Sequence, residues 1–415
     1  MVPLFSKDGK LNTATAANSS QRLMLAGLPT VLLLGAAVAV GSPQVRFSKL
    51  PGITAQQTFT SDAKEIELKA AARAPDGTLW TVVGTRDKGK LAGRQEILIW
   101  GFDRNANRIG DLALSDVPGF RVGQGRDAGP FSLNILDNGN LMLLSNSTGE
   151  ISVAVIDWRS KRLLAKTPIE NDKDLRLVTR LVMLGNGEML AIGRVGTQGW
   201  IAHVGPAGVV LDELLLKDSD LGVVTDAARI DDKTLLLLGG GPGDGTHEAI
   251  WAAKIAPDGG TIAKTQFFGK GGRLAVDYSR RKYAVVYNKP APKGWDVVVQ
   301  AFTNTLDKQW SAVLFSGTSG LGEYDISGSQ NGDFLIAGPS DHRRLMACRV
   351  GASGAIQWFY EVPDESATPH LLWNSELVAR SNGYYLPFTE MVVGENHEHR
   401  FEQRQVVSVI NFDSK

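Results

Sequence analysis

One strand-and-turn phrase recurs seven times along the chain, at intervals of about 45–50 residues, and no other feature constrains the fold as much. Its clearest part is a polar turn leading into an apolar strand: PDGTLWTVVG (75–84), NGNLMLLSN (138–146), NGEMLAIGR (186–194), DKTLLLLGG (232–240), RKYAVVYN (281–288), NGDFLIAGP (331–339) and NGYYLPFT (382–389). Each copy holds four apolar strands separated by a tight turn, a loop and a second short turn. A unit of this kind cannot bury its faces alone, so the units must stack on one another. Four strands per unit makes each one a propeller blade. The expected fold class is all-β: a seven-bladed β-propeller of four-stranded antiparallel blades.

The pattern places blades at 66–114, 130–169, 177–216, 223–269, 271–317 and 322–363, and a last one from Glu376 to the strand QVVSVINF (405–412). That last blade is one strand short. The segment QVRFSKLPG (44–52) is similar to the outer strand of blade six, AIQWFYEVP (355–363), in length, alternation and trailing proline. It is therefore expected to complete the last blade and close the ring, leaving no unpaired inner edge.

The chain of 415 residues is 43% hydrophobic, and its 44 basic and 44 acidic residues cancel. Such a balance gives no electrostatic basis for binding nucleic acid. The lone cysteine, Cys348, excludes an internal disulfide and reads as a small buried hydrophobe within the strand LMACRV (345–350). At the N-terminus, Lys7, Lys10 and Arg22 precede the apolar run LMLAGLPTVLLLGAAVAV (23–40), interrupted by Pro29 and Gly35. Residues 1–41 read as an export signal, cleaved before Ser42 or Val40, or as an uncleaved membrane anchor. Either reading places 42–415, a single propeller domain, in the periplasm or elsewhere outside the cytoplasm. A core this large needs no disulfide there.

With their polar-glycine turn, apolar strand and acidic-glycine turn, the repeats resemble those of bacterial seven-bladed propellers. They lack the Gly-His and Trp-Asp marks of WD repeats, the double glycine of kelch repeats and the Ser-x-Asp box of sialidases; APDGTLW (74–80) comes nearest to that box and departs at its first position. Trp310 and Trp358 are similar to the outer-strand tryptophans of quinoprotein repeats, but only these two blades carry them. The resemblance implies architecture and brings no active site with it.

Loop length separates the two faces of the wheel. Turns between first and second strands, and between third and fourth, are short hairpins. The other connections are long and varied, and function on a scaffold usually lives on such loops. They carry the binding-face candidates Arg86, Lys88, Arg94, Arg126, His247, His342, Arg343, Arg344, His370, Trp373 and Arg400. Interspersed acids make ordinary surface charge the competing reading of these cations. His397 and His399 alternate beside Glu395 in ENHEHR, a weak pattern for a divalent metal and equally a solvated polar loop. Trp200, Trp251 and Trp295 head third strands, either as an exposed stacking platform or as packing between blades. Arg73, Arg180, Asp226, Arg229, Asp277, Asp325 and Arg380 sit on inner strands, where those facing inward would line a channel of mixed charge. Paired, they are structural; an unpaired cluster would mark a site. GGGPGDG (239–245) lacks the Lys-Ser/Thr ending of a phosphate loop, and no cofactor is expected.

These features lead to a monomeric, non-catalytic binding or scaffold protein that meets a protein partner through its long loops, either an envelope assembly factor or a toxin-immunity protein. The alternative is a carbohydrate-active or other hydrolase or lyase at the funnel mouth, with Asp244, Asp341 or Glu395 as its carboxylates.

Overall fold

A computed structural model describes residues 46–47, 53–59, 64–87, 96–120, 132–147, 150–169, 176–185, 188–241, 249–277, 282–318, 323–329, 331–339, 345–361, 376–380, 383–395 and 401–413. The chain divides into Met1–Ser42, which lies outside those residues, and Pro43–Lys415. Among the described residues no helix is long and apolar enough to cross a membrane; the apolar run 23–40 is not among them.

The strands form seven antiparallel sheets arranged as blades. Blade one runs Lys64–Arg73, Leu79–Asp87, Glu96–Phe102, Arg108–Ala113 from its inner to its outer edge. The inner strands of the next five blades are Ser132–Ile135, Arg176–Gly185, Val224–Asp231, Lys270–Val276 and Asp325–Gly328. Blade seven comprises Val378–Arg380, Gly383–Glu395 and Phe401–Asp413, with Ile53–Phe59 as its outer strand.

The strands read as continuous apolar runs because both faces of every sheet are covered. Successive side chains point to opposite neighbours. Leu236 and Leu238 pack with blade five, while Leu237 between them packs with blade three. Seven apolar clusters result, one per seam, and the last joins Leu68, Leu79 and Phe102 of blade one to Tyr385, Val407 and Val409 of blade seven. The ring is closed. Trp200 and Trp251 are fully buried in seams, and Trp295 is half-buried, so packing rather than an exposed platform is the outcome for the first two. Cys348 is buried in the seam of blades five and six, where loss of water pushes its thiol pKa up.

An N-terminal strand does close blade seven, but from a later segment than the pattern indicated. Ile53–Phe59 pairs antiparallel with the third strand of that blade, from Ile53↔Phe412 to Phe59↔Val407. Within 44–52, Arg46 and Phe47 instead lie parallel to the outer strand of blade six, opposite Phe359 and Tyr360. The run ITAQQTF, directly after Pro51, supplies the ladder in place of 44–52. Phe59 then fills the closing seam against Trp100 and Phe102, at ring separations of 5.7 and 5.1 Å. Across the same seam the Tyr385 hydroxyl donates to the Gly77 carbonyl at 2.7 Å, and the Leu68 N–H donates to Thr389 Oγ1 at 2.7 Å.

The two faces differ, but less evenly than the loop lengths indicated: on the long-loop face the second-to-third connections of blades two, three and five span only two residues, and a single residue joins blade four to blade five. First-to-second strand turns span two to six residues, and the six third-to-fourth turns within continuous chain span four or five. The Asp76 carboxylate shows why such turns close: it accepts the Thr78 N–H at 2.9 Å while Gly77 takes φ +88°. On the opposite face, connections reach 114–131 after blade one and 362–377 after blade six.

Candidate functional site

Two parts of the molecule are candidates, the long-loop face and the central channel. Lys88, Arg94, Arg126, His247, His342, Arg343, Arg344, His370, Trp373, His397, His399 and Arg400 lie outside the described residues, as do Asp244 and Asp341. Arg86 lies on a strand rather than a loop, its Cα opposite that of Glu65. Glu395 likewise ends a strand, opposite Phe401. The stretch 390–404, expected as loop, is largely a ribbon: 390–395 and 401–406 pair only with each other among the described residues. At about 3.4 Å per residue this arm extends roughly 20 Å past its blade on the long-loop face. The segment NKPAPKG (288–294), also expected as loop, continues the blade-five hairpin, with Ala291 opposite Gly294. Among the described residues no group of three His, Cys, Asp or Glu could hold a metal.

The central channel is a cavity of about 750 Å³ walled by residues of all seven inner edges. Its charged groups come from six blades, with Lys69 and Arg73 of blade one among them. Asp226 Oδ2 accepts the Leu274 N–H at 2.9 Å, from blade four to blade five. Asp325 Oδ2 accepts the Leu377 N–H at 2.6 Å, from blade six to blade seven. Glu376 Oε2 accepts the Ala71 N–H, from blade seven to blade one. Ser132 and Thr179 make the corresponding links from blade two to three and from three to four, at 3.1 and 2.7 Å. Side chains thus tie neighbouring inner strands together at five of the seven seams by satisfying backbone groups that face the axis.

Arg180 reaches across this ring. Its guanidinium lies 3.5 Å from Asp226 and 3.7 Å from Glu376, three blades apart. Burial opposes its charge, but Asp226, Asp325 and Glu376 outweigh that and hold its pKa above the ordinary value. Burial pushes the Asp325 carboxyl up, against the pull of Arg180 and Arg273. Burial also pushes Glu376 to about 7, and the neighbouring Asp325 charge adds to it while Arg180 opposes it.

Local backbone aims the two arginines. A bulge at Thr179 shifts the register between Val178 and Arg180. The facing Gly193 permits it: a Cβ there would stand 1.8 Å from the Leu177 carbonyl oxygen. In blade five the register shifts between Lys270 and Arg273, through Gly271 at φ +62° and Gly272 at φ +147°. Bulges re-aim side chains in this way.

The inner-strand residues Arg180, Asp226 and Asp325, singled out from the sequence, do meet. Arg229 instead pairs with Glu188 at 3.1 Å, Asp277 accepts the Lys282 N–H at 3.0 Å, and Arg73 donates to the Ala379 carbonyl at 3.3 Å. Glu376 and Arg273 complete the cluster and carry no motif; the double glycine before Arg273 is the one signal that could have found it.

No family model matches the chain, and no curated protein matches it. Solved structures do. Hydrazine synthase of Kuenenia stuttgartiensis is 12% identical with a TM-score of 0.48, over 71% of this chain and 78% of that one. Virginiamycin B lyase from Staphylococcus aureus is 9% identical with a TM-score of 0.47, over 85% and 98%. The Dos1 propeller is 8% identical with a TM-score of 0.49, over 87% and 94%. Likeness at this level is one of fold and carries no activity to this chain.

Proposed function

We propose that the protein is an extracytoplasmic, monomeric binding protein that presents its long-loop face to a protein partner, as an envelope assembly factor or a toxin-immunity protein. The observation that carries this reading is the unequal division of chain between the faces. One face is closed everywhere by hairpins of two to six residues, while the other receives connections such as 114–131 and 362–377 and the paired arm 390–395 with 401–406. Rigid strands that hold long connections on one side make a recognition surface. The apolar run 23–40 supports the compartment, as leader or anchor.

The test is cross-linking mass spectrometry on chain 43–415 incubated with periplasmic extract. Cross-links to one partner should fall on 88–95, 242–248, 340–344, 362–375 and 396–400. Cross-links confined to the hairpin face, or no enriched partner, would overturn the reading. A second reading, a hydrolase or lyase, is favoured by Glu376, whose carboxyl titrates near 7 in a cavity as a general acid–base group would. Turnover of a glycoside, ester or phosphoester, lost in Glu376→Gln, would establish it instead.

A further inference from the structure

We propose that the central channel binds a small organic carboxylate, whose carboxyl group is held by the guanidiniums of Arg180 and Arg273. The site lies on the axis and is independent of the long-loop face.

The volume, about 750 Å³, is that of a pocket for a drug-sized ligand. The charges inside it are unequally engaged. Asp226 accepts the N–H groups of Ala227 and Leu274, at 3.0 and 2.9 Å. Asp325 accepts those of Ile326 and Leu377, at 3.0 and 2.6 Å. Glu376 accepts that of Ala71. These carboxylates are held in place by backbone N–H groups and link neighbouring blades.

The guanidiniums are the reverse. Arg180 keeps 26% of its side chain exposed and stands 3.5 and 3.7 Å from its two carboxylates. A charge-assisted bond of full strength is about 2.7–2.9 Å, so most of its five donors are unused. Arg273 lines the same cavity and, among the described residues, has no carboxylate within 4.0 Å. It lies near enough to act on both Asp325 and Glu376. Each arginine follows a bulge on its inner strand. Two forks directed into one cavity match the planar geometry of a carboxylate.

The same surroundings select among anions. A phosphate dianion would double its attraction to the cations and its repulsion from Asp226, Asp325 and Glu376 alike, so the choice falls to the walls. Ala72, Val182, Met183 and Val378 add apolar wall, which favours an organic body over an inorganic ion.

Calorimetry on chain 43–415 at neutral pH tests this, with ω-phenyl carboxylates from benzoate to phenylhexanoate, their neutral amides and inorganic phosphate as probes. At least one carboxylate should bind saturably at one site, and its amide should bind at least tenfold more weakly. Arg273→Gln should weaken that carboxylate at least tenfold while the melting temperature stays unchanged. Gly272→Ala, which leaves the arginine present and mis-aims it, should also weaken it. No saturable carboxylate, equal affinity for acid and amide, tighter binding of phosphate, or full affinity in folded Arg273→Gln would each overturn the proposal.

Discussion

Val285 and Val286 are neighbours in one strand of blade five, yet one packs toward blade four and the other toward blade six. Arg273, on the inner strand of that blade, packs into neither seam and lines the axis. The contrast holds around the wheel. Every seam repeats one chemistry, aliphatic and aromatic side chains excluded from water. The channel repeats only the link from one inner strand to the next; Ser132, Thr179, Asp226, Asp325 and Glu376 provide it with different side chains. Where the repeat is free to vary, individual charges accumulate. Stability is therefore spread over the seams, and specificity is concentrated on the axis.

The largest effect should come from opening the closing seam. Deleting 53–59 strips blade seven of its outer strand and removes Phe59 from beside Trp100 and Phe102. Melting temperature should fall by more than about 10 °C, or the chain should fail to fold. Deleting 43–52 alone should cost only a few degrees, because Arg46 and Phe47 merely flank blade six. Calorimetric melts that rank the two deletions the other way would return the closure to the earlier segment.

A single seam side chain comes next. Phe334 is fully buried between blades five and six, 6.3 Å from the Trp310 ring. Phe334→Ala should cost about 3–5 kcal/mol in urea denaturation, from lost burial and the cavity left behind. A cost below about 1 kcal/mol would mean that the seam collapses around the gap and is not a tightly packed region.

On the axis the effect should depend on pH. The Glu376 carboxyl titrates near 7 in the folded chain and near 4.5 when unfolded. The folded state thus holds the proton more tightly, and this group's contribution to stability falls as pH rises from about 4.5 to about 7 and is constant above. Its side chain keeps 24% exposure, so water relieves part of the penalty. Wild type should lose about 2–3 kcal/mol between pH 5 and pH 8 relative to Glu376→Gln, whose amide oxygen still accepts the Ala71 N–H. Parallel stability curves for the two proteins would show that the carboxyl titrates normally.

The seams were legible in the sequence and the axis was only partly so, for one physical reason. A seam is made by strand periodicity, which is local: TLLLLGG and AVVYN announce two-sided burial without reference to any other segment. The axis joins single residues from blades far apart in the chain. Arg180, Asp226 and Asp325 could be named as inner-strand charges, but no spacing brings Arg180 to Glu376 until the ring has closed. Glu376 marks the expected start of the last blade, but nothing in its neighbourhood sets its carboxylate apart. Arg273 falls inside the expected blade five (271–317), but no motif marks it there, and only the structure shows that its two preceding glycines build the bulge that aims the side chain. The closing strand was misplaced by one segment for a related reason: two short runs stand in tandem, and no local signal ranks one above the other as partner of the distant blade seven.

The smallest expected effect is the sharpest test of the contrast. Arg273→Gln removes a full charge from the interior of the wheel, a change that normally costs several kcal/mol when a buried partner is abandoned. Here no carboxylate pairs with it among the described residues, and the carboxylates nearby remain bound to backbone N–H groups. Its loss should shift stability by no more than about 0.5 kcal/mol in urea denaturation. Arg349→Gln in blade six is the structural counterpart: its guanidinium meets Asp333 at 2.8 Å with both side chains largely buried. That substitution should cost about 3–5 kcal/mol. Equal costs for the two arginines would make Arg273 one more strut of the fold; a wide gap would leave it a charge maintained for something other than stability.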